Sequence, residues 1–381
     1  MTQRSRMIGV AFALLFLGVF LSACGASPVS ESWPGLTVEG GMVYVISGLP
    51  QKVYMVDAET GQQQGSFSPV SESRGVLLWS PVTVGGDLAY VGFGDSGQGV
   101  SGLYAFDPET GQERWNAPAE STIIAAPAYA DDVVYYADSD GHLYAVDAET
   151  GAPKPGWSFE ADSAIWASPL VVEGRIYVSG MDHCVYRLAP ETGEVIWKTK
   201  VGGAMAAQPI LDDARDVLYV GAFNGQVYAL KADSGELLEG FDFEGADNWI
   251  WSEVLVTGDA LYVTALDGML YALDPASGAV LPGYPYDSGG NAEKATLIRA
   301  APVQAGDNII AAAVGVADES SEVTAVRDGL QQWTWNTDRS VYTNPVVVGD
   351  TIYVVTRDGQ LQTLNAETGV AGWSFAGSTG D

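Results

Sequence analysis

The side chains able to do chemistry in this chain are few and far apart. Cys24 follows Leu21-Ser22-Ala23 at the end of the apolar run Met7–Cys24, behind Arg4 and Arg6. A basic start, a short apolar segment and small residues at the cut mark a secretory signal, and here a Cys stands where the mature chain would begin. Its thiol would then carry a diacylglyceryl chain. A cleaved soluble-secretion signal and an uncleaved membrane helix are the alternatives. The two histidines, His142 and His183, fall in turns of two sequence repeats, with Cys184 aligned to His142. Such nitrogen and sulfur donors suit zinc or a softer metal. A zinc site takes three or four ligands at close range, so three unrelated turn residues are the preferred reading and no metal is expected.

Asp138-Ser139-Asp140-Gly141 opens like a calcium loop but runs into the strand His142–Val146 without the distal Glu, which makes it a hairpin turn. The sequence has no Gly-x-Ser-x-Gly, no phosphate-loop Lys motif and no Cys-x-x-Cys-His for an attached haem, and with both His in turns a Ser-His-Asp set has little support. Forty-eight acidic residues make any one carboxylate pair uninformative. No catalytic residue and no cofactor is expected.

The formal charge is −31, and two units more negative without residues 1–23, which hold Arg4 and Arg6. Such a charge keeps a protein soluble and repels nucleic acid and anionic lipid, so membrane attachment would come from the N-terminal lipid alone. With Cys24 assigned to lipid, Cys184 has no intramolecular partner and no disulfide staples the fold. Beyond the signal no run of about twenty apolar residues offers a second membrane span.

The elements that must position any site come from repetition. After the linker Gly25–Ser32, Asp-Ala-Glu-Thr-Gly and its variants recur at Asp57–Gly61, Asp107–Gly111, Asp147–Gly151, Pro190–Gly193, Asp233–Gly235, Asp274–Gly278, Arg327–Gly329 and Asn365–Gly369, the closing glycines 40 to 51 residues apart. Each period contains a Pro-Val-like start, a Gly-Asp turn, a Tyr-Val strand, an Asp-Gly turn, a Tyr-Ala-Leu-Asp strand, the Thr-Gly turn and an aromatic. Four short strands in about forty residues, with edges buried against neighbouring sheets, predict an all-β, eight-bladed β-propeller of four-stranded antiparallel blades. The closing aromatic has two registers. Trp115, Trp197, Trp333 and Trp373 stand four residues after the turn glycine, and Phe67, Trp157, Phe241 and Tyr284 stand six after it. All eight are read as blade-packing residues.

The repeats disagree just before each innermost strand. Three residues before the Pro slot stand Leu78, Ile124, Trp166, Ala206, Ile250, Arg299 and Tyr342; two before it stand Trp79, Ala125, Ala167, Ala207, Trp251, Ala300 and Thr343. Positions that the fold requires repeat, whereas positions free to serve a partner need not. These residues are expected to ring the mouth of the central channel, with Trp79, Trp166, Trp251, Arg299 and Tyr342 as the partner-binding rim. The rival reading is that Trp79, Trp166, Trp249 and Trp251 only plug the channel. Gly92–Gly102, Tyr284–Thr296 and Val314–Val323 depart furthest from the minimal unit and are placed in links on the same face, where loops carry function.

Ala105-Phe106-Asp107-Pro108-Glu109-Thr110-Gly111-Gln112-Glu113-Arg114-Trp115 resembles, at every fixed position, the docking motif Ala-x-Asp-x-x-Thr-Gly-x-x-x-Trp of repeat proteins related to pyrroloquinoline quinone (PQQ) dehydrogenases. Other units keep part of it: Pro155, Glu239 and Pro282 occupy Trp slots, Ala189 and Lys231 occupy Asp slots. The resemblance implies a PQQ-like repeat propeller. Quinoprotein dehydrogenases would add a calcium site, a catalytic Asp, often adjacent cysteines and long insertions, and this chain has no Cys-Cys pair. In size, anchor and repeat it is more similar to the lipid-anchored BamB group, scaffolds of the outer-membrane barrel assembly machinery, although a shared fold alone does not fix function.

The resulting expectation is a signal peptide at 1–23, a lipidated N-terminus and linker at 24–32, and a propeller at 33–381. It would be a non-catalytic scaffold for an envelope protein, extracytoplasmic and lipid-anchored, at the outer membrane if the cell has one. A carbohydrate or small-ligand module, with a polysaccharide ligand, and a PQQ-dependent oxidoreductase are the alternatives. The anchor is tested by fractionating wild type and Cys24→Ser. The wild type should be acylated and sediment with membranes, held close by a linker of at most about 30 Å, and Cys24→Ser should be soluble. Equal solubility without acylation contradicts the anchor.

Overall fold

Runs such as Val133–Ala137, Val217–Gly221 and Asn308–Gly315 are buried along their whole length, so these strands must lie between layers on both faces. The computed structural model describes residues 35–47, 51–69, 76–95, 100–288 and 296–377, all within the unit Ser32–Asp381. The signal, Cys24 and the linker lie outside the described residues. Among the described residues every regular element is a strand, and no helix is long and apolar enough to cross a membrane. Eight antiparallel sheets follow one another along the chain: Leu36–Phe67, Val76–Ala119, Ala128–Glu160, Leu170–Lys200, Ile210–Lys231, Leu255–Asp287, Thr296–Thr337 and Val346–Ala376, here blades 1 to 8. The predicted eight-bladed propeller is thus the fold. In blade 5 the fourth strand shrinks to the single bridge Leu230↔Leu237. Blades 2 and 7 gain a piece, because Val76–Leu78 and Thr296–Ile298 pair with lengthened second strands.

Adjacent blades are locked by one repeated device. The indole N–H of Trp115 donates to the Ala148 carbonyl of the next blade at 3.1 Å, Trp157 to Pro190 at 3.1 Å, Trp197 to Ala232 at 3.2 Å and Trp333 to Ala366 at 3.1 Å. A second-strand tyrosine often joins the same carbonyl: Tyr90 bonds Ala148 at 3.2 Å and Tyr177 bonds Ala232 at 3.2 Å. The indole lies on the next blade's turn glycine. A Cβ on Gly151 would come within 2.6 Å of Trp115, and one on Gly235 within 2.6 Å of Trp197, while φ of +71° and +72° already favours glycine there.

The two aromatic registers converge on this lock. Trp157, Phe241 and Tyr284 lie beside the second-strand tyrosine of their own blades, at 5.9, 5.7 and 5.9 Å between ring centres, as Trp115 and Trp197 do at 5.7 and 6.0 Å. The two additional residues are absorbed by turns at Gly156, Gly240 and Gly283, all with positive φ. Phe67 does something else: it is fully buried, stacked on Phe106 at 4.4 Å, because blade 1 has Gly65 in the Trp register and its strand runs straight on to Phe67.

The ring closes without strand exchange among the described residues. Tyr353 of blade 8 donates to the Ala58 carbonyl of blade 1 at 2.9 Å, Trp373 lies over Gly61, and Tyr54 meets Phe375 edge-on at 5.5 Å. In blades 1, 3, 6 and 8 the turn is organised by its first side chain, whereas Ala189 and Lys231 start the turns of blades 4 and 5 without an acceptor side chain. Asp57 accepts the Thr60 N–H and hydroxyl, both at 2.7 Å, and Asp147 and Asp274 do the same for Thr150 and Ser277. Asn365 does so in blade 8 without a charge.

Removing a lock should cost the whole domain. Trp197→Ala is expected to lose about 3–5 kcal/mol, the usual cost of deleting a packed aromatic, measured by denaturant unfolding; a loss below about 1 kcal/mol contradicts its role. Hydrogen bonds from the turn hold the carboxyls of Asp57, Asp107, Asp147 and Asp274 below the usual range. A depressed carboxyl contributes stability that is present above the unfolded value, near 3.9, and is lost as pH falls through the lowered folded value. The melting temperature should therefore fall on acidification across that window, and less steeply in Asp107→Asn, whose amide can make the same turn as Asn365. Parallel pH profiles for wild type and variant contradict this.

Candidate binding face

Strand pairing supplies an alignment of the repeats that does not depend on proline. In blades 2 to 8 the residue opposite the lock position of the second strand is Thr83, Ala128, Leu170, Ile210, Leu255, Val303 and Val346. Four residues before it stand Trp79, Ile124, Trp166, Ala206, Trp251, Arg299 and Tyr342. All five rim candidates thus share one slot, rather than the two adjacent positions that counting from proline gives. The reason is that Pro81 sits one residue early relative to the pairing and blade 6 has Val254 in place of proline.

The residues on either side of the slot are fixed by the fold. Just before it stand Leu78, Ile123, Ile165, Met205, Ile250, Ile298 and Val341, all at most 1% exposed. Just after it stand Ser80, Ala125, Ala167, Ala207, Ser252 and Ala300, small and buried. Leu78 and Ile250, expected at the channel mouth, are therefore core residues, and so are the alanines. Every described slot residue is instead half-buried.

Links and turns meet on this face, as the repeat pattern implies. Backbone N–H groups of Ser139, Met181, Phe223, Leu266 and Arg357, in the turns between second and third strands, donate to carbonyls of Thr122, Ala204's counterpart Ala164, Ala204, Trp249 and Ser340 in the links, taking each pair within its own blade. The described parts of Gly92–Gly102 belong to the paired second and third strands of blade 2, residues 96–99 lying outside the described residues, and Val314–Val323 joins the second and third strands of blade 7, so neither is a link between blades. Part of Tyr284–Thr296 lies outside the described residues.

Within the slot, blades 6, 7 and 8 form one stack. The Arg299 guanidinium lies 4.3 Å from the Trp251 ring centre and 5.3 Å from that of Tyr342. Phe223, from the turn in blade 5, extends it by stacking on Trp251 at 5.1 Å and on Trp249 at 4.8 Å. Four blades thus contribute to a single aromatic and cationic arc. Burial pulls the Arg299 guanidinium down to about 10, with Tyr342 opposing the fall and Arg357 adding to it, so Arg299 stays cationic at neutral pH. Two residues after the slot, Asn344 donates to Glu253 at 2.9 Å, a bond from blade 8 to blade 6 past blade 7, and accepts the Ala301 N–H at 2.7 Å. Trp79 and Trp166 occupy the slot in blades 2 and 4, and among the described residues no ring contact joins them to this arc. Phe223 was not among the rim candidates, although comparing turn positions Ser139, Met181, Phe223, Leu266 and Arg357 singles it out as the aromatic.

His142 begins the third strand of blade 3, rather than lying in the turn, and its Nδ1 is 3.3 Å from Asp138. Cys184 begins the equivalent strand of blade 4 and is buried in a core shared by blades 3 and 4, where desolvation raises its thiol pKa. Asp138 and Asp182 hold neighbouring tyrosine hydroxyls, those of Tyr144 and Tyr186. Among the described residues no group of three or more His, Cys, Asp or Glu could hold a metal ion.

An eight-bladed propeller with indole-on-glycine contacts between blades, and one variable slot in each of blades 2 to 8, defines a PQQ-like repeat protein. The family model described as outer membrane protein assembly factor BamB matches residues 49–163, 153–315 and 312–381, and the chain belongs to that family. BamB of Shewanella oneidensis is 32% identical over 83 residues, 22% of this chain and 20% of that protein. Tetrathionate hydrolase of Acidithiobacillus ferrooxidans is 21% identical over 235 residues, 56% of this chain and 38% of that protein. The matches therefore span well under half the length of either relative. The crystal structure of BamB from Moraxella catarrhalis superposes with a TM-score of 0.67 at 19% identity, covering 89% of this chain and 94% of that one, a likeness of fold.

Proposed function

We propose that this protein is a non-catalytic scaffold of the cell envelope, anchored by a lipid on Cys24, that binds a protein partner through the slot face, in the service of outer-membrane protein assembly. The observation that carries the reading is the slot: one half-buried position in each of blades 2 to 8, bracketed by core residues, where the repeats do not agree and where five of the seven hold Trp79, Trp166, Trp251, Arg299 and Tyr342. Trp, Tyr and Arg are the side chains enriched among the anchors of protein interfaces, the aromatics because they bury large areas with two χ angles to freeze and arginine because its planar guanidinium stacks and donates several hydrogen bonds. The BamB family supports the assembly role and an envelope location. An enzyme stands among the relatives, but the chain carries neither the adjacent cysteines nor the haem motif associated with quinoprotein catalysis.

One observation favours a glycan as the second reading. Trp249 is 39% exposed and has one face on Phe223, the arrangement of a platform for a sugar ring.

The test is capture of the partner from solubilised envelopes by wild type, Trp251→Ala and Tyr342→Ala, followed by titration of the captured protein. Loss of an interface anchor costs about 2 kcal/mol or more, roughly thirtyfold in affinity, with melting temperature nearly unchanged. If the slot only plugs the channel, the same truncations should open cavities and lose about 3–5 kcal/mol of stability while the folded variants still capture the partner. That outcome contradicts the proposal.

A further inference from the structure

The fourth strand of blade 7, Leu330–Thr337, is the longest outer strand in the ring and the last of its sheet, so its far side has no neighbouring strand. Its sequence, Leu-Gln-Gln-Trp-Thr-Trp-Asn-Thr, contains neither a charge nor a proline. Proteins usually protect a free edge with lysine, proline, brevity or a bulge, since unpaired N–H and C=O groups template another strand; the bulge at Gln332 is one that the outer strands of blades 1, 2, 4 and 8 share, so it does not set this edge apart. The other blades show these protections. Glu113–Ala119 carries Glu113, Arg114 and Pro118, and Val195–Lys200 carries Lys198 and Lys200. In blades 3 and 6 the outer strand is two residues long, and in blade 5 it is a single bridge. The uncharged edge of blade 8, Ala371–Ala376, is shorter, and its Gly372 and Trp373 carbonyls accept bonds from Gln362 and Thr363. Blade 1 offers only Gln63–Phe67.

The blade 7 edge is also held rigid. Trp333 is locked to blade 8, Trp335 packs on the core between blades 7 and 8, and Gln331 accepts the Tyr286 hydroxyl of blade 6 at 3.0 Å. Among the described residues its backbone groups bond only to the third strand of the blade and, at the Leu330 carbonyl, to the Gln332 side chain. Leu330 is 68% exposed, and Gln332 and Asn336 are exposed. The entropy of ordering this strand is already spent, which favours main-chain pairing with an incoming segment.

We propose that this edge accepts an extended segment of a partner protein as a fifth strand of blade 7. Charge selects the occupant. Exposed Asp328 and Asp338 bracket the strand, the latter beside Arg339 at 3.8 Å, and the net charge of −31 opposes both acidic segments and a second copy of this chain. The fitting segment is about eight residues of alternating β-branched side chains with basic ends.

The probe is the capped peptide Lys-Thr-Val-Thr-Val-Thr-Val-Thr-Lys, titrated into the full chain and followed by amide hydrogen exchange. Exchange of the Leu330–Thr337 amides should slow at least tenfold at saturation. The same peptide N-methylated at alternate residues should give no protection, because its side chains are kept and its pairing groups are not. Asn336→Pro should weaken binding at least tenfold; Gln332→Lys, which leaves the blade's own pairing intact, should do the same with unchanged melting temperature. No protection, equal protection by the N-methylated peptide, or protection confined to the slot face or another outer strand overturns the proposal. So does protection without peptide accompanied by a doubled mass in solution, which would make a second copy the occupant.

Discussion

The structure depends on an indole lying flat on a glycine. Each four-stranded blade is too small to bury its own faces, so it is stable only against its neighbours, and the Trp-on-Gly contact fixes how neighbours meet. A side chain on Gly151 or Gly235 would displace the ring, and a ring elsewhere would lose its carbonyl. The contact therefore demands two things at once, a turn with positive φ and an aromatic at a set distance along the previous blade; most blades add an oxygen at the turn's start to satisfy its N–H groups, although Ala189 and Lys231 stand there in blades 4 and 5. The Asp-x-x-Thr-Gly-x-x-x-Trp pattern is the sequence record of that demand. Where Pro155, Glu239 or Pro282 takes the Trp position, a two-residue detour delivers Trp157, Phe241 or Tyr284 to the same place.

Because the outer half of each blade carries the lock, the inner end is left with one unconstrained residue. Ile123 and Ala125 are both buried and so held by the fold, whereas Ile124 between them is half-buried. Around the ring that freedom is used unevenly. Blades 3 and 5 place Ile124 and Ala206 in the slot, while blades 6 to 8 place Trp251, Arg299 and Tyr342 there and bring them into one stack. A symmetric scaffold thus presents an asymmetric face, which is what a single partner bound near the axis of a repeating ring requires.

The blades, their number and the turn glycines were legible in the sequence because they rest on local chemistry: positive φ, β-branched runs and a fixed motif. The residues that fill the slot were also legible, since disagreement among repeats survives an error of one position. Their equivalence was not. Proline marks the start of the innermost strand in most blades, but Pro81 and Val254 break the rule, and only strand pairing shows that Trp79, Trp251 and Tyr342 share a place. Contacts across blades were hidden for a different reason. Asn344 and Glu253 are 91 residues apart, and Phe223 reaches Trp251 from another repeat; no local period encodes such meetings.

The central claim is that the slot, and not the opposite end of the channel, is where a partner sits. Site-specific photo-crosslinking in living cells tests it most directly, with p-benzoylphenylalanine placed singly at Trp251, Tyr342 and Trp166 and, on the opposite face, at the exposed Glu173 and Val348. The account expects one and the same protein adduct from Trp251 and Tyr342, and none from Glu173 or Val348. Adducts from Glu173 or Val348 with none from the slot would contradict it.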